Sequence, residues 1–447
     1  MQPTSKSIYK RIFILTLFIS VFFHCQSYSQ TTNILDSNFE QALVNLNIDT
    51  NGLNGNILNS DADSVLNLDV SENFIQNLTG IEAFSNLKTL DCSKNNLNSI
   101  DISNNIQLEE LNANDNQLNT INVSSNVKLE LLSLSSNQLT TINLYNNPYL
   151  ENLSVDLNNL ISLDVTNNLQ LEYLGCYSNN LSVIDLTNNT LLKHVFINFN
   201  NLSNLDLSQN TILRTLSCSS NNFTELNLLN NSDLNYFDCR DNNLTDLDLS
   251  NNSNLKRLFF SNNHLTEIDL TNLSDLLLIF ASDNNISTLD ISNNLDLRWI
   301  KFDKNNLSSV DFRNGNNSHI SEFTMTENSN LNCIFVDDAE ASYLETWLID
   351  DASAFVENES DCEALTVEEE PKFGFNMFPN PATNMVSVTI DTQLASLDIY
   401  SIKGQVIISQ PLSFGKNNIQ LEALSSGMYL VKITSANQSE TNKLLIH

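Results

Sequence analysis

From Leu87 onward the same order of apolar and polar positions returns every 21 residues: Leu87, Leu90, Cys92, Asn95, Leu97, Ile100, Ile102 and Asn105 form the first unit. Within it Leu90 and Cys92 alternate with Thr89, Asp91 and Ser93. Period-two alternation places the first pair inward and the second set outward on a short strand. Successive units then stack these strands into a parallel sheet about 4.8 Å per rung, and about twelve rungs give a domain on the order of 55–60 Å long. A polar residue keeps its place in this frame at Asn95, Asn116, Asn137, Asn158, Asn179, Asn200, Asn221, Asn242, Asn263, Asn284 and Asn305. Each falls where the chain leaves the strand, and an amide that both donates and accepts can satisfy turn groups hidden from water. Losing one such rung is expected to cost roughly 1–3 kcal/mol in unpaired backbone groups. The segment Ser99 to Ser103 alternates too, so the outer side is predicted to be extended or 3₁₀, since 21 residues leave no room for a full helix.

The frame Leu-x-x-Leu-x-x-x-x-Asn-x-Leu resembles a leucine-rich repeat of the short, internalin-like kind common in bacterial surface proteins. That resemblance implies an α/β-type leucine-rich-repeat solenoid, mostly β, with a parallel sheet on its concave face. A longer unit from Val65 to Asn86, with Leu78-Thr79-Gly80-Ile81-Glu82, is closer still to the internalin pattern. Leu273 and Gly315 replace the second asparagine, and two extra residues precede Ile320, which suggests that the stack is ending. The solenoid is thus placed at 65–332. Both of its ends need covering, because a bare last rung would show core to water. Phe39, Leu43 and Leu46 follow helical spacing, so an N-terminal cap at 30–64 is expected to hold a helix near 36–48. Asp49 to Gly55 is read as an Asn-Gly turn rather than a calcium loop, because Ser60 stands where an EF-hand needs glutamate.

Lys6, Lys10 and Arg11 precede an apolar run from Ile12 to Phe23, too short to span a bilayer, and residues 1–29 read as a secretory signal peptide. No other segment is apolar enough for membrane insertion once the signal is removed. Export sets an oxidising compartment. Cys333 and Cys362 stand outside the repeat, so a disulfide is expected between them, closing a C-terminal cap at 333–362. The stretch Leu331 to Asp338 resembles the cap that ends such repeats in related bacterial proteins. Cys92, Cys176, Cys218 and Cys239 share one inward strand position and read as buried core thiols.

After Cys362 the composition shifts to an acidic linker, 363–372, and the repeat does not return. Phe378-Pro379-Asn380-Pro381-Ala382, Leu397 to Gly404, Leu424 to Ile433 and Lys443 to Ile446 follow in order. Together they resemble the C-terminal sorting domain of the type IX secretion system found in Bacteroidetes, over 373–447. Alternation at Val386, Val388 and Ile390, and at Tyr429, Val431 and Ile433, independently indicates a small antiparallel sandwich. The resemblance implies passage through the type IX machinery and a passenger that is released or fixed to the outer cell surface.

A net charge of −33 argues against nucleic acid and anionic membranes as partners. His194, His264 and His319 fall on distant rungs, leaving no frame for a zinc site or a Ser-His-Asp set, and no enzyme is expected. Outward strand positions are small and polar in early rungs and change character later. Tyr173, Tyr177, His194, Phe196, Tyr236, Arg257, Phe259, Phe280 and Trp299 become the candidate ligand-binding set, with Ser217 and Asp238 interrupting it. Exposed aromatics and arginine on a rigid sheet suit protein anchors and sugar-stacking platforms alike. The expected function is therefore adhesion or protein binding at the cell surface. The alternatives are a carbohydrate-binding accessory or a cell-coat spacer without a specific ligand. No cofactor is expected. A convex column including Asp164, Asp185, Asp206, Asp248, Asp269, Asp290 and Asp311 leaves weak calcium stabilisation open.

Overall fold

The computed structural model describes residues 30–366, 374–391, 394–435 and 438–447. The signal-peptide reading of residues 1–29 lies outside the described residues. The chain divides into two compact units, one ending at Cys362 and one running from Glu363 to His447.

In the first unit, short strands of two to four residues stack into one parallel sheet of 14, from Asn67–Asp69 to Leu348–Ile349. The register is fixed by the repeat: Leu216 sits beside Val195 and Phe237, and the flanking residues align in the same way. The central residue of each strand is buried and its neighbours point out. Fourteen strands exceed the expected dozen because pairing extends past the regular repeat, through Glu322–Met325 to Leu348–Ile349 inside the C-terminal cap.

The asparagine ladder closes each turn. Asn179 Oδ1 accepts from Leu160 N at 2.9 Å, while its Nδ2 donates to the carbonyls of Val155, Cys176 and Tyr177. The bonds to Leu160 and Val155 reach back one rung, and the same pair of reaches recurs at Asn116 and at Asn305. The column also continues to Asn328, whose Oδ1 accepts from Leu307 N and whose Nδ2 reaches Phe302 O. The residue before each ladder asparagine is forced into the left-handed region, with φ of 52° at Leu157 and at Phe199.

A second asparagine column behaves differently. Asn189, fully buried, donates to the carbonyls of Val165 and Asn168, but its Oδ1 accepts no hydrogen bond from the protein. Gly315 breaks this column in the sequence, yet the neighbouring Asn314 reaches the carbonyl of Asn294 in its place. The outer side is irregular through most of the stack. Near its end Thr288–Asp290, Ser309–Asp311, Cys333–Phe335 and Ala354–Val356 pair into a second parallel sheet.

Both ends are closed. The N-terminal helix Ser37–Asn45 is capped by Asp36, whose Oδ1 accepts from Asn38 N and Phe39 N. The other oxygen of that carboxylate accepts from Gln76 N and Asn77 N, tying the cap to the first rung. The helix stops before the expected boundary, and Leu46 is left exposed rather than packed. The turn after it is held by Glu40, whose Oε1 accepts from Asn54 N and Gly55 N. At the far end, Trp347 follows a 3₁₀ turn, Ser342–Thr346, and stacks on Phe323 at 4.0 Å between ring centroids. Phe312 and Phe355 meet its ring edge-on, so one indole seals the last core layer. Cys333 and Cys362 form the disulfide. Closing that 29-residue span is worth roughly 3–4 kcal/mol in the chain-entropy picture.

The linker reading needs one correction. Residues 363–366 continue a helix, Glu359–Thr366, which Glu359 and Asp361 favour in its first turn and the disulfide anchors at Cys362. Residues 367–373 lie outside the described residues.

The second unit has two antiparallel sheets. One holds Asn376–Phe378, Met385–Ile390 and Gly415–Gln420; the other holds Ala395–Ser401, Val406–Leu412, Gly427–Ser435 and Gln438–Ile446. Val386, Val388 and Ile390 from one sheet and Leu397, Ile399, Val431 and Ile433 from the other share one buried cluster. The two alternating runs therefore face a common core, as period-two patterning requires.

Candidate functional site

Each rung places three outward residues on the broad sheet face, and columns of them run along the stack. The structure does not arrange the nine candidates as one stripe. Tyr173 and Phe196 meet across neighbouring rungs at 5.5 Å between centroids. Tyr236, Phe259 and Phe280 form a second group, each contact 5.4 Å, the last edge-on. Between them lies the rung of Thr215 and Ser217, where His194 Nδ1 lies 3.0 Å from Thr215 Oγ1, and Asn198 donates to Ser217 and Ser219.

Two residues outside the candidate set complete the second group. The Arg240 guanidinium lies 5.1 Å from the centroid of Phe259, and Lys301 Nζ lies 4.9 Å from that of Phe280. Asp238, buried, does not interrupt the patch. It holds Arg240 through bonds of 2.9 and 2.7 Å and so aims the guanidinium over the ring. Nothing in an alternating pattern marks this pairing, because residues two apart on a strand share a face without having to touch. Lys301 is steadied in turn by Glu322 at 2.7 Å. Trp299, 40% exposed, lies beside Leu278 and Glu322 in the sheet register. Arg257 is exposed beside Tyr236.

The first group sits over a buried carboxylate. Asp156 accepts from Tyr177 N at 3.0 Å and from Ser135 Oγ at 3.1 Å, and burial raises its carboxyl above the usual range. A side chain at Gly175 would strike it, since a Cβ there would come within 2.8 Å of Asp156 Oδ1. Burial, then Arg214 and Lys193, lowers the His194 pKa below its ordinary value.

One further column runs immediately before the strands. It carries Lys88, tied to Glu109 at 2.8 Å, then Glu130, Glu151 and Glu172 in the first half, and Lys193, Arg214, Lys256 and Arg298 in the second. Lys193 is tied to Glu172 at 2.6 Å, and Arg298 comes within 4.0 Å of Asp296. Among the described residues, Arg214, Lys256 and Arg257 have no ion-pair partner.

On the convex side each aspartate is already engaged. Asp164 Oδ1 accepts from the amide and the hydroxyl of Thr166, and the same turn recurs at Asp185 and Asp269. The hydroxyl first, and then the amide, hold Asp164, Asp185 and Asp269 below the usual carboxylate range. Among the described residues, no three His, Cys, Asp or Glu side chains are grouped so as to hold a metal ion. Cys92, Cys176, Cys218 and Cys239 are fully buried, and burial pushes their thiols far above the range in which they would ionise.

Comparison with known proteins fits this geometry. The functional domain of InlJ from Listeria monocytogenes, described as including a cysteine ladder, superposes with a TM-score of 0.61 at 21% identity, covering 94% of this chain and 99% of that one. The first unit is a leucine-rich-repeat solenoid. An internalin, InlF, from the same organism gives 0.52 at 21% identity over 69% of this chain and 96% of that one. YopM from Yersinia enterocolitica gives 0.51 at 23% identity, covering 65% of each chain. At these identities the likeness is one of fold. The leucine-rich repeats here carry their own cysteine column, since Cys92, Cys176, Cys218 and Cys239 repeat one inward position. Residues 376–447 match the secretion system C-terminal sorting domain. The leucine-rich-repeat unit is therefore carried on an exported chain, addressed to the cell surface or the medium by a type IX sorting domain. Among the described residues, no helix is long and apolar enough to cross a membrane. No match was found among curated proteins.

Proposed function

We propose that this chain is an exported surface protein that binds other proteins, without catalysis, through the outward face of its leucine-rich-repeat sheet. The observation that carries the reading is the group formed by Tyr236, Phe259 and Phe280 with Arg240 and Lys301 over the rings. Aromatic and arginine side chains held rigid on a sheet lose little entropy on binding, and such residues dominate protein interface energies. The ring geometry favours a protein over a flat sugar. Phe259 and Phe280 pack edge to face, and cations stand over both rings, so a planar stacking surface is not presented. The sorting domain supplies delivery, and the solenoid supplies the surface.

The test is capture by the intact exported chain carrying Phe259→Ala, Phe280→Ala and Trp299→Ala together. Surface proteins retained by the parent chain should be lost, with the far-ultraviolet circular dichroism spectrum unchanged. Undiminished capture by the triple variant would remove the sheet face as the binding surface.

A further inference from the structure

In a chain of net charge −33, three cations without an ion-pair partner among the described residues gather on one stretch of the solenoid. Arg214 and Lys256 belong to the column before the strands, two rungs apart, and Arg257 adjoins Lys256 on the strand that also carries Phe259. All three are exposed. Two rungs amount to about 9.6 Å, so these charges stand at the rung before Tyr236 and at the rung of Phe259. Toward the N-terminus the same column is acidic, and there Lys193 is already neutralised by Glu172. The sign of the surface thus reverses at the rung that separates the two aromatic groups.

From this arrangement we infer that the sheet face between His194 and Lys301 takes an acidic, apolar protein segment, its carboxylates on Arg214, Lys256 and Arg257 and its apolar side chains against Phe259 and Phe280. The inference rests on the proposed protein-binding role of this face and adds the partner's chemistry. Beyond about one Debye length, roughly 8 Å at physiological salt, the surrounding negative charge is screened. Attraction therefore acts at contact range, where the three cations sit. Glu130 and Glu151 repel the same segment and confine it to the C-terminal rungs, a placement set by like-charge exclusion. Arg240 and Lys301 contribute less to charge selection, since Asp238 and Glu322 already pair with them.

The experiment measures binding of two synthetic peptides to the full chain by fluorescence anisotropy. One alternates glutamate with leucine and phenylalanine; the other is identical with lysine for glutamate. A polyuronate chain serves as a third probe. The glutamate peptide should bind and weaken with added salt, and the lysine peptide should not bind. Arg214→Gln, Lys256→Gln and Arg257→Gln together should weaken the glutamate peptide roughly tenfold, as expected for exposed pairs. Lys94→Gln with Lys128→Gln, in the N-terminal half, should leave it unchanged. An unchanged affinity in the triple-glutamine variant, or failure of the glutamate peptide to bind, overturns the inference. Equal binding of both peptides, each lost in Phe259→Ala/Phe280→Ala, overturns the acidic preference and leaves the protein-binding face standing. Indifference to both sets of substitutions removes the face as well. Tighter retention of the polyuronate than of the glutamate peptide replaces a protein partner by an anionic polysaccharide.

Discussion

Two asparagine columns that look equivalent in the sequence should respond very differently to the same substitution, Asn→Leu. At Asn179 the change removes the acceptor for Leu160 N, which has no other partner, and one of two donors to Val155 O, which keeps its bond from Asn158 Nδ2. The carbonyls of Cys176 and Tyr177 keep theirs, from Asn200 Nδ2 and Leu157 N. One buried orphan gives a loss of about 1–3 kcal/mol. At Asn189 the carbonyls of Val165 and Asn168 retain bonds from Asn168 N and Leu171 N. The same swap also eliminates an Oδ1 that is buried and unpaired. Its cost should therefore stay below about 1 kcal/mol. The chain already makes this substitution once, at the fully buried Leu273. Because both variants gain the same apolar side chain, the transfer contribution largely cancels in their difference. Urea unfolding followed by circular dichroism, with slopes compared as well as midpoints, measures that difference. Equal losses, or a larger loss at Asn189, would refute the partner count on which the argument stands.

Two further outcomes can be checked. Phe199 is 58% exposed and held at φ 52°, whereas Asn262 fills the equivalent slot of a later rung. Phe199→Asn should raise stability by about 1 kcal/mol through relief of the left-handed backbone, and a lower urea midpoint would contradict this. The convex aspartates already accept from their own turns, and a calcium ion needs six to eight oxygens. Thermal melts with calcium and with chelator should therefore coincide, and a higher melt in calcium would reveal a cation on that column.

Much of the fold was legible because the period leaves little freedom. A 21-residue interval fixes which residue faces inward in every strand, and the observed register follows it. What escaped the pattern was whatever depends on partners rather than on spacing. Asn328 closes the ladder, but the two residues inserted before Ile320 displace it from the count. Asp238 looked like a gap among aromatics, although its carboxylate is what positions Arg240. The four-stranded outer sheet arises only where the last rungs come into register, and no single unit encodes that. The candidate aromatics all lie on the sheet face. Their division into two groups depends on ring contacts between rungs, which composition does not reveal.

The ladder amides all lean one way, each reaching from its own rung into the one before it. The stack therefore has a head and a tail, like a zipper whose every tooth is locked by its successor. Cutting rungs from the N-terminal side would strip partners from a side-chain amide, which can turn to water. Cutting from the C-terminal side would strip the sole partner from a backbone N–H fixed in place, as at Leu160. At the natural end Asp350 ends the sequence of locks, its two carboxylate oxygens accepting from Glu327 N and Asn328 N at 2.8 and 2.7 Å. A shortened version of this solenoid should keep its final turns and give up its first ones.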